Sequence, residues 1–211
     1  IEGVAAAKAE IIAGLRPEGT AILNADDARA AAMAQLAPAR VLTFSTHGRQ
    51  ADLRAENVDL DAAARAAFDL HLPGLAEPRR VRLAVAGTHN VSNALAAAGL
   101  ALAAGIAPEL VAERLGSVSI ESPHRMDVSE LGDDLLLIDD SYNANIDSMT
   151  AALAVLPALA GDRRRVVVIS EMLELGESSA ADHARTGELA AQAGAAMLIG
   201  IGSTQEALEA A

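Results

Sequence analysis

The chain has 211 residues, of which 52% are hydrophobic and 1% aromatic, and it carries a formal net charge of −13. This balance argues against a nonspecific nucleic-acid binder, which needs a basic face, and no apolar run approaches the roughly 20 residues of a membrane span. The lack of cysteine excludes disulfides and thiolate metal sites and fits a reducing cytoplasm. The length suits one large domain or two ordinary ones.

The first half of the sequence predicts a helix, a strand and then several short strands. Apolar residues at helical spacing predict a helix over residues 3–15, and TAILNADD is typical of a strand. Four β-like runs then follow in close succession, which indicates hairpins in an antiparallel patch beside the main sheet: RVLTFS, DLRAENVDL, AFDLHLP and RRVRLAVAG. Helices over residues 88–106 and 107–118 complete this half.

The second half of the sequence has a different pattern of predicted strands and helices. Periodicity lapses over residues 117–124, which predicts a boundary between a domain of residues 1–118 and a domain of residues 119–211. Beyond it, aliphatic runs such as DLLLIDD alternate with amphipathic helices, the last of them STQEALEAA, which indicates parallel strands covered on both faces. The predicted fold class is α/β, with a doubly wound second domain. Both chain ends have helical patterns, so we expect a fragment of a longer protein.

Three predicted strands end in polar side chains. In doubly wound sheets, ligands bind beyond the carboxyl ends of the strands, where carboxylates can hold ribose hydroxyls or Mg²⁺. The alternative is that Asp, Asn and Ser serve there as turn formers and helix caps. The three clusters are Asn24, Asp26 and Asp27; Asp139 and Asp140; and Ser170 and Glu171.

Another candidate lies at the start of the long helix of the first half. Asn90 and Asn93 are three residues apart and so share a face of its first turn. Gly87 lets the backbone approach a ligand, the helix start offers N–H groups, and a carboxamide can read an adenine edge. The alternative is that Thr88 or Asn90 caps the helix and His89 is a surface residue.

Isolated charged residues give weaker signals. Lys8 lies on a helical stripe of apolar residues, so its amine starts from the buried side, although most such lysines snorkel to solvent. Arg125 could reach a phosphate or be a solvated charge, and His183 and Arg185 are expected on a helix surface. The sequence has no Gly-x-x-x-x-Gly-Lys-Ser/Thr phosphate loop. The residues alone thus indicate a two-domain α/β protein with a nucleotide site between its domains.

The segment DDSYNANIDSM, residues 139–149, resembles the Asn-Asp-Ala-Tyr-Asn-Ala-Asn-Pro-x-Ser-Met signature of the D-alanyl-D-alanine-adding branch of the Mur ligase family. Other family patches occur in the same order, so the resemblance covers nearly the whole chain: AKAEI, ILNADD, GTHNVSNALAA, HRMDV and ISEMLELGE. It implies the latter part of a central ATPase domain over residues 1–118 and a Rossmann-like C-terminal domain over residues 119–211.

The resemblance implies ATP-driven amide formation in cytoplasmic peptidoglycan precursor synthesis, a step of cell wall biogenesis. ATP would phosphorylate the terminal carboxylate of UDP-N-acetylmuramoyl-tripeptide, and the amine of D-alanyl-D-alanine would attack the acyl phosphate. Mg²⁺ would neutralise charge on the transferred phosphoryl group. We expect a monomer with no nucleic-acid partner and no membrane span.

The resemblance also carries roles onto positions of this sequence. Lys8 matches the lysine that related ligases carbamylate, which would turn a cation into an oxygen ligand near Mg²⁺. Arg125 and Asp140 would reach the ATP phosphates and ribose from the C-terminal domain. Adenine contacts are implied for His89, Asn90 and Asn93, and contacts near the nucleotide and the dipeptide for Tyr142 and Asn145.

The resemblance has departures and gaps. Asp139 stands where the signature has asparagine, Ile146 where it has proline, and Ser-Glu-Met at residues 170–172 where the family has Gly-Asp-Met. The family's UDP-binding domain, ATP phosphate loop and final C-terminal part do not occur in the 211 residues, so we expect the chain alone to be inactive. The alternatives are a folylpolyglutamate or cyanophycin synthetase-like ligase of the same superfamily, and a nucleotide-binding module without catalysis.

Overall fold

A computed structural model describes residues 1–118, 124–132 and 134–202 of the chain. The chain forms two compact units, Ile1–Asp61 with Arg65–Ser119, and Ala62–Ala64 with Ile120–Ala211. Part of the predicted boundary region and the helix predicted at STQEALEAA lie outside the described residues. Within the described ranges, no helix combines the length and the apolar character that crossing a bilayer requires.

The first unit is a five-stranded mixed sheet with helices. The strand order is β1–β2–β3–β4–β5, with parallel pairing from β1 to β3 and antiparallel pairing from β3 to β5. The elements are α1 (Glu2–Ala13), β1 (Thr20–Asn24), α2 (Ala28–Ala32), a 3₁₀ turn (Met33–Leu36), β2 (Arg40–Ser45), β3 (Leu53–Leu60), β4 (Arg65–His71), β5 (Arg79–Ala86), α3 (His89–Ala103) and α4 (Pro108–Leu115).

The position of β2 corrects one expectation. RVLTFS was expected in the antiparallel patch, but β2 runs parallel to β1 over its register from Thr20–Arg40 to Asn24–Phe44. The short α2 and the 3₁₀ turn between these strands provide the crossover that a parallel pair needs. The antiparallel prediction is confirmed for β3, β4 and β5, which continue the same sheet and do not lie beside it.

The core of the first unit lies between the sheet and α3. Phe68 and Leu70 of β4 and Leu95 of α3 are fully buried. A helix buries its apolar stripe against the inward-facing side chains of the strands, which is what the spacing of these residues allows. Gly99 lets α3 come close to β1, because a Cβ at this position would lie 2.7 Å from Cγ2 of Ile22.

The first helix, α1, does not bury a face. Val4 and Ile11 are 61% and 66% exposed, Lys8 is exposed, and no residue of this helix is buried. The prediction that Lys8 starts from a buried stripe is therefore wrong for the described chain. Helical spacing identifies residues that share a face, but it does not show whether anything packs against that face.

The second unit contains two separate strand pairs and two helices. β6 pairs antiparallel with β7, which corrects the expectation that DLLLIDD forms a parallel strand, because an aliphatic run indicates a strand but not the direction of its partner. β8 pairs parallel with β9 across α6, as predicted. The elements are β6 (Asp127–Glu130), β7 (Leu136–Asp139), α5 (Ile146–Ala160), β8 (Val166–Ser170), a 3₁₀ turn (Gly176–Ser178), α6 (Ser179–Gln192) and β9 (Met197–Ile201).

The β8–β9 pair has two unlike faces. Val167 and Ile169 are buried and cluster with Leu153 of α5 and Ala190 of α6. Successive side chains of a strand point to opposite faces, so the residues that alternate with Val167 and Ile169 lie on the face away from the helices. Within the described residues, helices thus cover one face of this pair, although both were expected to be covered. The exposed residues of the other face are Val166, Val168, Met197, Ile199 and Ile201.

Replacing Gly99 with valine should destabilise the first unit. The new Cβ would meet Ile22 at 2.7 Å, so the helix or the isoleucine must shift, and overpacking of this kind costs about 1–3 kcal/mol. Ala97→Val, at an exposed position of α3, controls for a β-branched residue in the same helix. Urea denaturation followed by circular dichroism compares the two variants, and equal midpoints would contradict the close packing.

Candidate functional site

The candidate site of the second unit is formed by the residues before β6 and those after β7. The Met126 N–H donates to Asp140 Oδ1 at 3.0 Å, and the Tyr142 N–H donates to the His124 carbonyl at 3.0 Å. The Nδ1 of His124 lies 2.7 Å from Oδ2 of Asp139. These hydrogen bonds fix the two segments against each other.

Arg125 lies at the centre of this arrangement. Its guanidinium carbon is 4.2 Å from the centroid of the Tyr142 ring, which is a cation–π contact. The residues on either side, His124 and Met126, have positive φ angles of 61° and 49°, a conformation that is uncommon outside glycine and clusters at functional sites. Arg125, Tyr142 and Asp140, three of the residues proposed for the nucleotide, therefore lie together at the carboxyl end of β7.

Asp139 gives this site a fixed negative charge. The hydrogen bond from His124 lowers the pKa of Asp139 to about 2, with further lowering by the Ser141 hydroxyl at 2.7 Å and the Ser141 N–H at 3.1 Å. The carboxylate is therefore ionised near neutral pH. This is the position at which the family signature has a neutral asparagine.

Asn145 begins α5 as its N-cap. Its Oδ1 accepts a hydrogen bond from the Ser148 N–H at 2.9 Å, and Ser148 Oγ accepts one from the Asn145 N–H at 3.0 Å, so the two residues form a capping box. The helix thus engages the acceptor of this carboxamide. The amide nitrogen and the second lone pair of Oδ1 remain for a ligand.

The two asparagines of the first unit contact each other. Nδ2 of Asn90 donates to the Ala86 carbonyl at 2.7 Å, and Oδ1 of Asn90 accepts from Nδ2 of Asn93 at 3.1 Å. Asn90 is buried and joins the end of β5 to the start of α3, whereas Asn93 is exposed. Gly87, with φ of 101°, lies against the His89 ring and leaves no space for a Cβ. The spacing therefore identified a contacting pair, of which Asn93 is the exposed member.

Asp26 holds together the loops that follow β1 and β2. Its carboxylate accepts hydrogen bonds from the Ser45 hydroxyl at 2.6 Å and the Thr46 N–H at 2.7 Å, and Nδ1 of His47 lies 3.1 Å away. The serine and the histidine both contact the carboxylate and do not form the serine–histidine bond of a catalytic triad. Asp27 next to it caps α2. For this cluster the structure agrees with the turn-and-cap alternative.

These hydrogen bonds determine the ionisation of Asp26. Burial raises the pKa of its carboxyl group, but the hydrogen bonds from Ser45, Thr46 and His47 outweigh burial and lower the pKa from 3.8 to about 2. The carboxylate therefore stays ionised in the folded state at any moderate pH. The sequence analysis placed Asp26 at a strand end but did not predict this network.

His183 corrects another expectation, because it is fully buried and does not lie on a helix surface. It shares the buried face of α6 with three small residues at helical spacing, Thr186, Gly187 and Ala190. Its imidazole contacts the loop after β8, where the third polar cluster lies. The i, i+3, i+4, i+7 spacing of these residues was the signal that could have found it.

Two family profiles match the sequence. The profile of the Mur ligase middle domain matches residues 1–101, and that of the Mur ligase glutamate ligase domain matches residues 124–211. The chain belongs to the Mur ligase family. Among the described residues of this Mur ligase chain, no group of three or more His, Cys, Asp or Glu could hold a metal ion.

Similar proteins in this family are MurF-type Mur ligases. The UDP-N-acetylmuramoyl-tripeptide–D-alanyl-D-alanine ligase of Mycobacterium tuberculosis H37Rv is 42% identical over 206 residues, which are 96% of this chain and 40% of that protein. The Escherichia coli K12 ligase of the same name is 37% identical over 213 residues, 100% of this chain and 46% of that protein. The chain thus spans less than half the length of these relatives.

Solved structures agree with this assignment. A crystal structure of MurF from Acinetobacter baumannii superposes with a TM-score of 0.84 at 33% identity, over 99% of this chain and 44% of that one. MurF from Thermotoga maritima, in complex with ADP, has a TM-score of 0.71 over 90% of this chain and 42% of that one, and its 22% identity makes it a likeness of fold alone. The chain belongs to the Mur ligase family, is similar to its MurF-type members along its whole length, and has a mixed α/β fold.

Asp26→Asn should destabilise the first unit by about 1–3 kcal/mol near neutral pH, because an amide cannot accept all the hydrogen bonds that Ser45, Thr46 and His47 give the carboxylate. The folded-state pKa of Asp26 is lowered. The carboxylate of Asp26 therefore makes its full contribution to the free energy of unfolding above the ordinary pKa of 3.8, and this contribution is lost as pH falls toward about 2.

Urea denaturation across this pH range measures the difference in unfolding free energy between wild type and Asp26→Asn. We expect the difference to narrow as the solution is acidified below the ordinary pKa of an aspartate. Glu18→Gln, at an exposed position of the same unit, is the matched control. A difference that does not change with pH would mean that the charge of Asp26 contributes nothing to folding.

Proposed function

We propose that this chain is the nucleotide-binding and C-terminal part of an ATP-dependent ligase that joins D-alanyl-D-alanine to UDP-N-acetylmuramoyl-tripeptide in cytoplasmic peptidoglycan synthesis. The observation that carries the proposal is the convergence of Arg125, Asp140 and Tyr142 at the carboxyl end of β7. The 42% identity to a protein with that activity in its name supports the same substrates. The ligase acts as a monomer.

Residues of the second unit bind the phosphates and ribose of ATP in this proposal. Arg125 supplies planar N–H donors, which suit phosphate oxygens. Asp140 receives the Met126 N–H on Oδ1, so Oδ2 is the oxygen that accepts from a ribose hydroxyl. Tyr142 holds the guanidinium by its ring face. The ADP complex of the Thermotoga maritima ligase supports a nucleotide as the ligand of this fold.

Residues of the first unit bind the adenine. Asn93 is exposed at the start of α3 and is held by Asn90 through a 3.1 Å hydrogen bond. A carboxamide offers one acceptor and one donor group, which matches the edge of adenine. His89 is the first residue of the same helix, and we propose that it also contacts the adenine. Asn145 contributes its amide nitrogen or the second lone pair of its oxygen, because the first lone pair caps α5.

The described residues do not by themselves fit Mg²⁺. They bring together no group of three or more acidic or imidazole ligands. Lys8, which is proposed as a carbamylated magnesium ligand, is exposed in the described chain. The roles of the other residues do not depend on the metal.

The reaction proceeds in two substitutions. A carboxylate oxygen of the tripeptide attacks the γ-phosphorus of ATP, and ADP leaves with the electrons of the broken P–O bond. The amine of D-alanyl-D-alanine then attacks the acyl phosphate, loses a proton, and displaces inorganic phosphate. Arg125 contributes by holding phosphate oxygens in line and offsetting their charge, which is the main form of catalysis available to a protein in phosphoryl transfer.

The substrate assignment is tested with the complete gene product that contains this segment. We expect ATP-dependent phosphate release with UDP-N-acetylmuramoyl-tripeptide plus D-alanyl-D-alanine, and none with folate plus glutamate. The 211-residue chain alone should release no phosphate, because its sequence lacks a phosphate loop. Activity with folate and glutamate would assign it to the folylpolyglutamate branch, and nucleotide binding without turnover would indicate a non-catalytic module.

Arg125→Ala in the complete gene product should raise the KM for ATP at least about tenfold, which corresponds to roughly 1.4 kcal/mol of binding. Arg125→Lys keeps the charge but loses the planar donors and the stacking on Tyr142, so an intermediate KM is expected. Arg185→Ala is the control, because this arginine pairs with Glu188 on the exposed face of α6. An ATP KM that stays unchanged in Arg125→Ala would exclude the phosphate contact.

A further inference from the structure

His183 is a buried imidazole whose two ring nitrogens both have partners. Nε2 accepts a hydrogen bond from the Met172 N–H at 2.9 Å, and Nδ1 lies 2.7 Å from the Ser179 carbonyl oxygen. The Ser179 hydroxyl is farther from Nδ1, at 3.4 Å. The side chain is fully buried, and the proposed nucleotide residues do not include it. The proposed nucleotide site therefore does not explain why an imidazole is buried at this position.

The partners determine the protonation state of the ring. A backbone N–H can only donate and a carbonyl oxygen can only accept, so Nε2 must carry a lone pair and Nδ1 must carry the proton. The imidazole is thus neutral, in the Nδ1–H tautomer. A proton on Nε2 would point at the Met172 N–H and break this contact. His183 joins α6 to the loop after β8 through one particular state of its ring.

The loop that contains Met172, residues 171–175, lies at the carboxyl ends of two parallel strands. The Glu171 N–H donates to the Ile201 carbonyl at 3.1 Å, which ties the start of the loop to the end of β9. The side chain of Met172 is buried, and its N–H is held by His183. Ligands of doubly wound sheets bind at this edge. We call residues 171–175 the β8–α6 loop. Its conformation therefore affects ligand binding at this edge of the sheet.

The β8–α6 loop needs such an anchor. Glu174 has a φ of 63°, a left-handed conformation that is uncommon for a residue other than glycine. If the imidazole acceptor were removed, the buried Met172 N–H would lose its partner, a loss that buried donors tolerate poorly. The loop would then exchange between conformations.

We propose that His183 is a positioning residue, whose neutral imidazole holds the β8–α6 loop in the conformation that the ligation step requires. The functional half of this proposal rests on the ligase activity proposed above. The loop carries Glu171 and Glu174 and no basic residue, so it does not attract the phosphates of ATP. Loss of the anchor should therefore affect the amine-bearing substrate and leave ATP binding unchanged.

Three variants separate an anchor from mere packing. His183→Gln keeps an acceptor, because Oε1 of glutamine lies as many bonds from the backbone as Nε2 of histidine. His183→Leu fills the space without an acceptor. Thr186→Val is the matched control, because it removes another fully buried polar group of α6, whose hydroxyl bonds the Asp182 carbonyl within the helix.

The anchor itself is tested on the 211-residue chain by amide hydrogen exchange and by ¹⁵N spectra of the imidazole. We expect the Nδ1–H tautomer of His183 in wild type and Thr186→Val, and slow exchange at Met172 in wild type, His183→Gln and Thr186→Val. In His183→Leu, exchange at Met172 should be at least about tenfold faster. An equally slow Met172 amide in His183→Leu, or the other tautomer in wild type, would overturn the anchor. If His183→Leu does not fold, fast exchange at Met172 in folded His183→Gln overturns it.

The functional half is tested by kinetics of the complete gene product. The kcat/KM for D-alanyl-D-alanine should fall at least about tenfold in His183→Leu, recover to within about threefold in His183→Gln, and stay unchanged in Thr186→Val, with the KM for ATP changed less than about twofold in all three. Unchanged kcat/KM in His183→Leu, or no recovery in His183→Gln, would overturn the positioning role. Absence of ligase activity in wild type would refute the proposed function and leave the exchange result standing.

Discussion

Backbone N–H groups in the loops that leave a sheet must find acceptors, and in this chain side chains provide them. A loop at the carboxyl end of a strand has left the hydrogen-bond ladder, yet its buried donors still need partners. In each of the three regions where polar residues follow a strand, a side-chain acceptor satisfies at least one such N–H. The pairs are Asp26 with the Thr46 N–H, Asp140 with the Met126 N–H, and His183 with the Met172 N–H.

This structural role and a role in binding are compatible. Asp140 uses Oδ1 for the backbone, and that bond fixes the direction of Oδ2. In the same way, Asn90 is buried and uses its amide on the Ala86 carbonyl, and its oxygen orients the exposed Asn93. A ligand that meets side chains held in this way loses less conformational entropy on binding. The proposed nucleotide residues are therefore the outer members of networks that the fold already needs.

Helical periodicity predicted the helices of this chain but misplaced two residues in opposite directions. Lys8 was expected on a buried stripe and is exposed, because spacing shows which residues share a face and not what covers it. His183 was expected at the surface and is fully buried; the residues that share its face, Thr186, Gly187 and Ala190, are at helical spacing but are small, so their spacing is a weak signal of a buried face. No local pattern marks the contact between Arg125 and Tyr142, and the family resemblance implied only that both residues lie near the nucleotide.

The charged groups near the carboxyl end of β7 leave the guanidinium of Arg125 available to a ligand. Asp139 is ionised, but His124 and Ser141 satisfy its carboxylate, and an asparagine at this position could not offer His124 an anion. Arg125 forms no ion pair with any residue that the structure describes and lies instead on the face of Tyr142. A cation–π contact uses the face of the guanidinium and leaves its in-plane N–H donors for a ligand. An ion pair with Asp139 would have occupied those donors, whereas the contact with Tyr142 leaves them for the phosphate that we propose as their ligand.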